Sequence, residues 1–130
     1  SIDSLGSEPL LINRIDTEGN AEKVVLTEDG LFVACDDAGA YYIPKISFLN
    51  EKNVHKRFAK DLTVDHISVK DNIAVLSLGS KGIALYDISD PLAPSERGIF
   101  SIGYVYKTKF WGDNLLVCSR EGLQVLAIAQ

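Results

Sequence analysis

The apolar residues of this chain lie in short runs that recur at a fixed spacing. Residues 29–35, 71–77 and 113–119 each begin with Asp, continue into an apolar run, and align without a gap at a spacing of 42 residues. A second apolar run follows each of them and begins near a glycine. A repeat of this length predicts a solenoid, a propeller or an array of similar units.

Each apolar run is predicted to be a β-strand that is covered on both faces. Apolar residues occupy consecutive positions, whereas a strand with one solvent-facing side alternates. The runs are short and rich in β-branched and aromatic residues, which favours strands over helices. The strands predicted before them end at Asp-Gly or Asp-Asn pairs, which are typical of tight hairpins; they span residues 21–27, 63–69 and 105–110. More polar fourth strands are predicted at residues 54–59 and 95–102.

Four antiparallel strands in each unit of about 42 residues predict an all-β protein, a β-propeller with four-stranded blades. The units are residues 21–62, 63–104 and 105–130, with an additional strand at residues 9–16. Three blades are too few for a closed ring, because propellers have four to eight. The chain is therefore expected to be half of a six-bladed ring, in a homo-oligomer, or part of a longer propeller. In the homodimer, Leu10, Leu11 or Ile12 would pack on residues 123–128 of the other copy.

The middle unit also carries a sequence motif. Residues 73–75, the segment GIALYDISDP at 82–91 and Ala93-Pro94 resemble the LVIVD repeat. This resemblance implies a β-propeller of the kind often found in bacterial cell-envelope proteins, and it brings no catalytic residues. The resemblance implies a location in the cell envelope or periplasm, and the cytoplasm is the alternative location.

Composition narrows the classes of partner. The formal net charge is −5 and the basic residues are scattered, so no nucleic-acid-binding surface is predicted. No run of 18 apolar residues is present, so no transmembrane helix is predicted. Cys35 and Cys118 lie one step out of register in equivalent strands, which predicts two buried free thiols on opposite faces.

Polar residues at the loops around the predicted central channel are the candidate ligand-binding residues: Lys23, Asp65, His66, Lys107, Asp36 and Arg120. Lys23, Asp65 and Lys107 are 42 residues apart and should circle the channel mouth, where they could hold an anion or pair with one another and water. Adjacent strand residues face opposite ways, so Asp65 is poorly placed to orient the imidazole of His66.

The sequence contains no catalytic motif of the HExxH, GxSxG or CxxC kind. Asp36-Asp37 offers too few oxygen ligands for Ca²⁺, so no metal and no cofactor are predicted. The favoured function is a non-enzymatic platform that binds a protein, a peptide or a small ligand. The alternative is a propeller hydrolase or lyase with carboxylates and His66 around the channel, since the fold alone does not decide function.

Overall fold

The computed structural model describes residues 8–49 and 54–128, which form three antiparallel sheets and one short helix. Sheet 1 contains β1 (Lys23–Leu26), β2 (Gly30–Ala34), β3 (Ala40–Pro44) and β4 (Lys56–Phe58). Sheet 2 contains β5 (His66–Lys70), β6 (Ile73–Ser77), β7 (Ile83–Asp87) and β8 (Ser95–Phe100). Sheet 3 contains β9 (Val105–Trp111), β10 (Asn114–Ser119) and β11 (Gly122–Ala127). The single helical turn α1 (Ile46–Leu49) follows β3.

Each sheet is a meander in which strands adjacent in sequence are hydrogen-bonded neighbours. The hairpin between β5 and β6 shows the local cause. Lys70 pairs with Ile73, and the two residues between them form a tight turn in which Asp71 has a φ of 52°. Asp and Asn tolerate this left-handed conformation better than most residues. The predicted all-β class and strand order are confirmed.

Two apolar clusters hold the three sheets together. Phe32 and Tyr42 of sheet 1 belong to one cluster with Leu76 and Tyr86 of sheet 2, and Phe58 packs against Tyr86 with ring centroids 5.2 Å apart. The second cluster joins sheets 2 and 3 and contains Val75, Ile83, Val105, Leu115 and Val117. Sheet 2 is therefore buried on both faces, which explains its consecutive apolar residues.

A third cluster covers the face of sheet 1 that points away from sheet 2. Its members are Val33, Cys35, Ala38, Tyr41 and Ile43, and Ile15 packs against them. The segment before β1 therefore lies against this outer face at Ile15. Residues 9–15 were predicted to be a strand, but they form no strand within the single chain, and sheet 3 has no fourth strand among the described residues.

The structure also shifts the predicted alignment of the repeats by one residue in sheet 2. Phe32 faces sheet 2, and Val75 faces sheet 3. Leu115 and Val117 point toward sheet 2, so Leu116 between them points away from it. Phe32, Val75 and Leu116 are therefore equivalent, since each faces away from the preceding sheet. Their partners on the third strands are likewise equivalent: Tyr42, Leu85 and Val125. Equivalent residues are therefore 43 and then 41 positions apart, and the gapless spacing of 42 is wrong for the middle repeat.

Both cysteines are free, as predicted, but only one of them is buried. Cys35 lies in the outer cluster of sheet 1, and burial raises the pKa of its thiol. Cys118 is exposed because it points from β10 to the uncovered face of sheet 3. The prediction of a buried Cys118 is wrong for that reason.

Candidate functional site

The first strands of the three sheets lie side by side and form an open groove, called here the inner groove. β5 contacts β1 on one side and β9 on the other. The groove has a volume of about 550 Å³. Its polar lining consists of Lys23, His66, Ser68, Lys107, Thr108 and Lys109, and its remaining lining is mostly apolar.

Lys23, His66 and Lys107 occupy the same position in the three sheets. Each pairs with an equivalent residue of the second strand: Ala34, Ser77 and Cys118, respectively. The sequence-based prediction had placed Asp65 at this position. The one-residue shift in sheet 2 replaces Asp65 by His66, because a shift by one residue in a strand exchanges its two faces. The structure therefore places two lysines and one histidine at the predicted ring position.

His66 is half-buried in the groove. Its Nδ1 atom is buried without a hydrogen-bond partner among the described residues, and the same is true of Oγ of Ser77, the residue opposite it on β6. Burial, followed by the positive charges of Lys23 and Lys107, lowers the pKa of His66 from 6.5 to about 4. The imidazole is therefore neutral at pH 7, with one ring nitrogen able to donate and the other able to accept a hydrogen bond.

The acidic candidates lie outside the lining of the groove. Burial, and then the charges of Asp36, Glu22 and Asp37, raise the pKa of Asp65. These carboxylates are therefore neighbours of one another. Asp36 has a φ of 53°, and its backbone forms two hydrogen bonds of 3.0 Å with Val64, which tie sheet 1 to sheet 2. Among the described residues, no three His, Cys, Asp or Glu side chains are placed to hold a metal ion.

Arg120 also lies away from the groove. It is exposed in the loop between β10 and β11, and its guanidinium stacks over the ring of Tyr104 at 4.2 Å from the centroid. Its backbone N–H donates a hydrogen bond of 2.8 Å to the carbonyl of Tyr104. Of the six candidate residues, Lys23, His66 and Lys107 meet in the groove, whereas Asp36, Asp65 and Arg120 do not line it.

The sequence analysis missed Ser68 and Thr108. The hydroxyl of Ser68 donates a 2.6 Å hydrogen bond to the carbonyl of Thr108, whose own hydroxyl donates to Oγ of Ser68 at 3.0 Å. This buried pair fixes β5 to β9 and so fixes the distance between His66 and Lys107. The two residues are 40 positions apart in sequence, so no local pattern indicates that they form a pair.

The lowered pKa of His66 predicts a specific pH dependence of stability. Between pH 4 and pH 6.5 the unfolded chain binds more protons at this residue than the folded chain does. The free energy of unfolding is therefore highest above pH 6.5, where the ring is neutral in both states, and it decreases as the pH falls toward 4. The full shift corresponds to about 3 kcal/mol, which solvent screening of the half-exposed ring reduces to about 1–2 kcal/mol.

His66→Gln should therefore flatten the increase of unfolding free energy with pH across that window, as measured by urea denaturation at several pH values. His55→Gln is the matched control, because His55 is exposed and stacks on Tyr41 outside the groove. If both variants flatten the increase of unfolding free energy with pH equally, the pH dependence does not arise from His66 in the groove.

Comparisons with known proteins show the fold alone. No protein-family model matches the chain, and no curated protein matches it. Among solved structures, the chain is similar to the crystal structure of the computationally designed Ika4 protein, with a TM-score of 0.63 and 12% sequence identity. The match covers 82% of this chain and 64% of that one, so the chain spans less than two thirds of the Ika4 chain.

The class that the fold defines is an all-β protein of three antiparallel sheets packed face to face. No helix in residues 8–49 and 54–128 is long and apolar enough to cross a membrane.

Proposed function

We propose that this chain is a part of a β-propeller that binds an anionic group of a peptide or small ligand in its inner groove and performs no chemistry on it. Two features support the propeller. Sheets 1 and 2 each have four antiparallel strands, and all three sheets pack through equivalent faces with their first strands side by side. The LVIVD-like segment at residues 82–91 supports the same fold and adds a bacterial cell-envelope location to the proposal.

The observation that carries the binding site is the arrangement of Lys23, His66 and Lys107. Two ammonium groups flank a neutral imidazole whose buried Nδ1 has no partner in the described part of the chain. A carboxylate or phosphate would be attracted by both lysines and would accept a hydrogen bond from the imidazole. Hydrogen bonds that involve a charged group are the stronger ones in proteins. An anion would also offset the two positive charges that contribute to the lowered pKa of His66.

The alternative of a hydrolase or lyase has less support. A general base is normally oriented by a second polar group. Asp65, the carboxylate next to His66 in sequence, lies with other carboxylates outside the groove. Within the described residues, no side chain accepts or donates a hydrogen bond at Nδ1 of His66.

Binding of inorganic phosphate and of a short polyglutamate peptide tests the proposal. Lys23→Ala and Lys107→Ala should each weaken binding about tenfold in titration calorimetry, which corresponds to the loss of one charge-assisted hydrogen bond of about 1.4 kcal/mol. Bound phosphate should also raise the pKa of His66 in an NMR titration, because a negative charge opposes the effect of the two lysines.

Lys45→Ala is the control for this experiment, because Lys45 is exposed after β3 and lies outside the groove. Equal weakening in all three variants would show a nonspecific charge effect. An unchanged His66 pKa in the presence of saturating phosphate or peptide would reject the groove as the binding site.

A further inference from the structure

The third strand of sheet 3, β11, has an unpaired edge, and one of its faces has apolar side chains that no described residue covers. In sheets 1 and 2 the third strands, β3 and β7, pair on both sides, the second time with β4 and β8. β11 pairs only with β10 among the described residues. Leu123 is 66% exposed and Val125 is 55% exposed on its uncovered face. An apolar strand edge of this kind is a template for pairing with another strand.

The glycine before each third strand shows where a fourth strand belongs. A Cβ atom at Gly39 would overlap the carbonyl oxygen of Ala59, and one at Gly82 would overlap that of Phe100. Phe100 is the last residue of the fourth strand β8, and Ala59 directly follows the fourth strand β4. A Cβ atom at the equivalent Gly122 would meet no heavy atom within 4 Å. The same space beside sheet 3 is therefore open to a strand.

The segment before β1 has the properties of such a strand. Leu10 is 84% exposed and Ile12 is 95% exposed. The end of the segment is nevertheless anchored, because Glu18 forms a 2.6 Å ion pair with Arg57 and its backbone N–H donates a 3.1 Å hydrogen bond to Oη of Tyr41.

The contact of Ile15 with sheet 1 repeats a contact between sheets 1 and 2. Phe58 of β4 packs on Tyr86 of sheet 2, and Ile15 packs on the cluster that contains Ile43, the residue equivalent to Tyr86. β4 also precedes β5 along the chain as residues 9–15 precede β1. The segment thus lies where the fourth strand of a preceding sheet would lie.

We propose that residues 9–15 of one copy pair with β11 of a second copy, so that sheet 1 of the first copy stacks on sheet 3 of the second. Because of the repeat, these two faces are equivalent to faces that already pack against each other within one chain. Leu116, Leu123 and Val125 on sheet 3 are equivalent to residues of sheets 1 and 2 that face the following sheet. Val33, Tyr41 and Ile43 on sheet 1 are equivalent to Leu76, Ala84 and Tyr86, which receive the preceding sheet.

The backbone bridges between sheets predict a specific contact in this assembly. Asp36 bridges to Val64 between sheets 1 and 2, and Gly79 bridges to Val105 between sheets 2 and 3. Ala21 is equivalent to Val64 and Val105. The backbone of Ala21 in one copy should therefore bridge to the loop between β10 and β11 of the other copy.

Two copies that use both ends in this way form a closed ring with a two-fold axis. Such head-to-tail contacts close when the rotation between copies completes a circle, and six sheets are within the range of known propellers. Ring closure would also bring a second set of Lys23, His66 and Lys107 to the inner groove. The assembly does not depend on anion binding, and the two proposals can fail separately.

Light scattering of the 130-residue chain should give twice its mass of 14.2 kDa. Val125→Asp should give a folded monomer, because its carboxylate is exposed in the single chain and would be buried in the assembly. Leu92→Asp, at an exposed loop residue away from β11, is the matched control and should remain a dimer. A wild-type monomer of 14.2 kDa at every concentration, or a dimer that Val125→Asp leaves intact, would overturn the proposal.

A synthetic peptide with the sequence of residues 8–16 keeps the test valid if Val125→Asp does not fold. In excess over the wild-type protein, this peptide should occupy the edge of β11, shift the amide NMR signals of residues 122–127, and convert dimer to monomer. A scrambled peptide of the same composition should do neither. Equal effects of both peptides would also overturn the proposal.

Discussion

Val117→Asp is expected to abolish cooperative folding. Val117 is fully buried on β10, in the cluster that joins sheet 3 to sheet 2 through Val75, Ile83 and Leu115. A carboxylate there has no cation in the cluster to pair with, and an unpaired buried charge costs several kcal/mol beyond the lost apolar contacts. Domains of this size have free energies of unfolding of about 5–15 kcal/mol, so the loss is comparable with the total stability of the domain.

The measurement is thermal and urea unfolding followed by circular dichroism. Val125→Asp is the matched control, because it introduces the same carboxylate on the adjacent strand at an exposed position. We expect Val125→Asp to retain a cooperative transition and Val117→Asp to show none. A soluble Val117→Asp variant that melts cooperatively near the wild-type temperature would contradict the packing of sheet 3 on sheet 2.

Gly82→Ala is expected to lower the free energy of unfolding by about 3 kcal/mol. Gly82 has a φ of 88°, a region that residues with a side chain rarely adopt, and the strain costs about 1 kcal/mol or more. A Cβ atom would also overlap the carbonyl oxygen of Phe100 and approach the backbone nitrogen of Ile102 to 3.0 Å. These are backbone atoms of β8 and the following loop, which cannot move without disrupting the β7–β8 pairing, and overpacking of this kind adds about 1–3 kcal/mol.

Gly112→Ala separates the two contributions. Gly112 has a φ of 59° in the β9–β10 turn, and a Cβ atom there would meet no heavy atom within 4 Å. Only conformational strain remains, so we expect a loss of about 1 kcal/mol. Urea denaturation of both variants measures the difference. Equal losses at Gly82 and Gly112 would show that the close approach to Phe100 has no energetic consequence.

Local patterns in the sequence were sufficient for most of the strand prediction. The polar strands β4 and β8 were predicted close to their observed positions, since charged residues on an outer strand protect a sheet edge. The segment at residues 9–15 was also predicted to be a strand but forms none within one chain, because a strand requires a hydrogen-bonded neighbour and no described residue supplies it. Cys118 was predicted to be buried because its apolar neighbourhood indicates a covered face, but the single chain leaves that face exposed.

The candidate site could be predicted only in part. Lys23 and Lys107 were found from the repeat, and His66 was selected as the histidine on a first strand. Asp65 was placed beside the lysines, and the structure moves it to the other side of β5. The geometry of the Ser68–Thr108 pair, which holds β5 against β9, depends on contacts 40 residues apart in sequence and has no local signature.

By itself, the sequence determined the type and order of the strands in the three sheets, because hairpin turns and runs of apolar residues are local properties of the chain. Only the tertiary structure decided which face each side chain occupies. In β6 the residues on both faces are apolar, as in Ala74 and Val75, so a shift by one residue leaves the pattern unchanged. Packing against sheets 1 and 3 distinguishes the two faces, since Leu76 fits among Phe32 and Tyr42 while Val75 fits against Leu115 and Val117. That choice places His66, and not Asp65, between the two lysines.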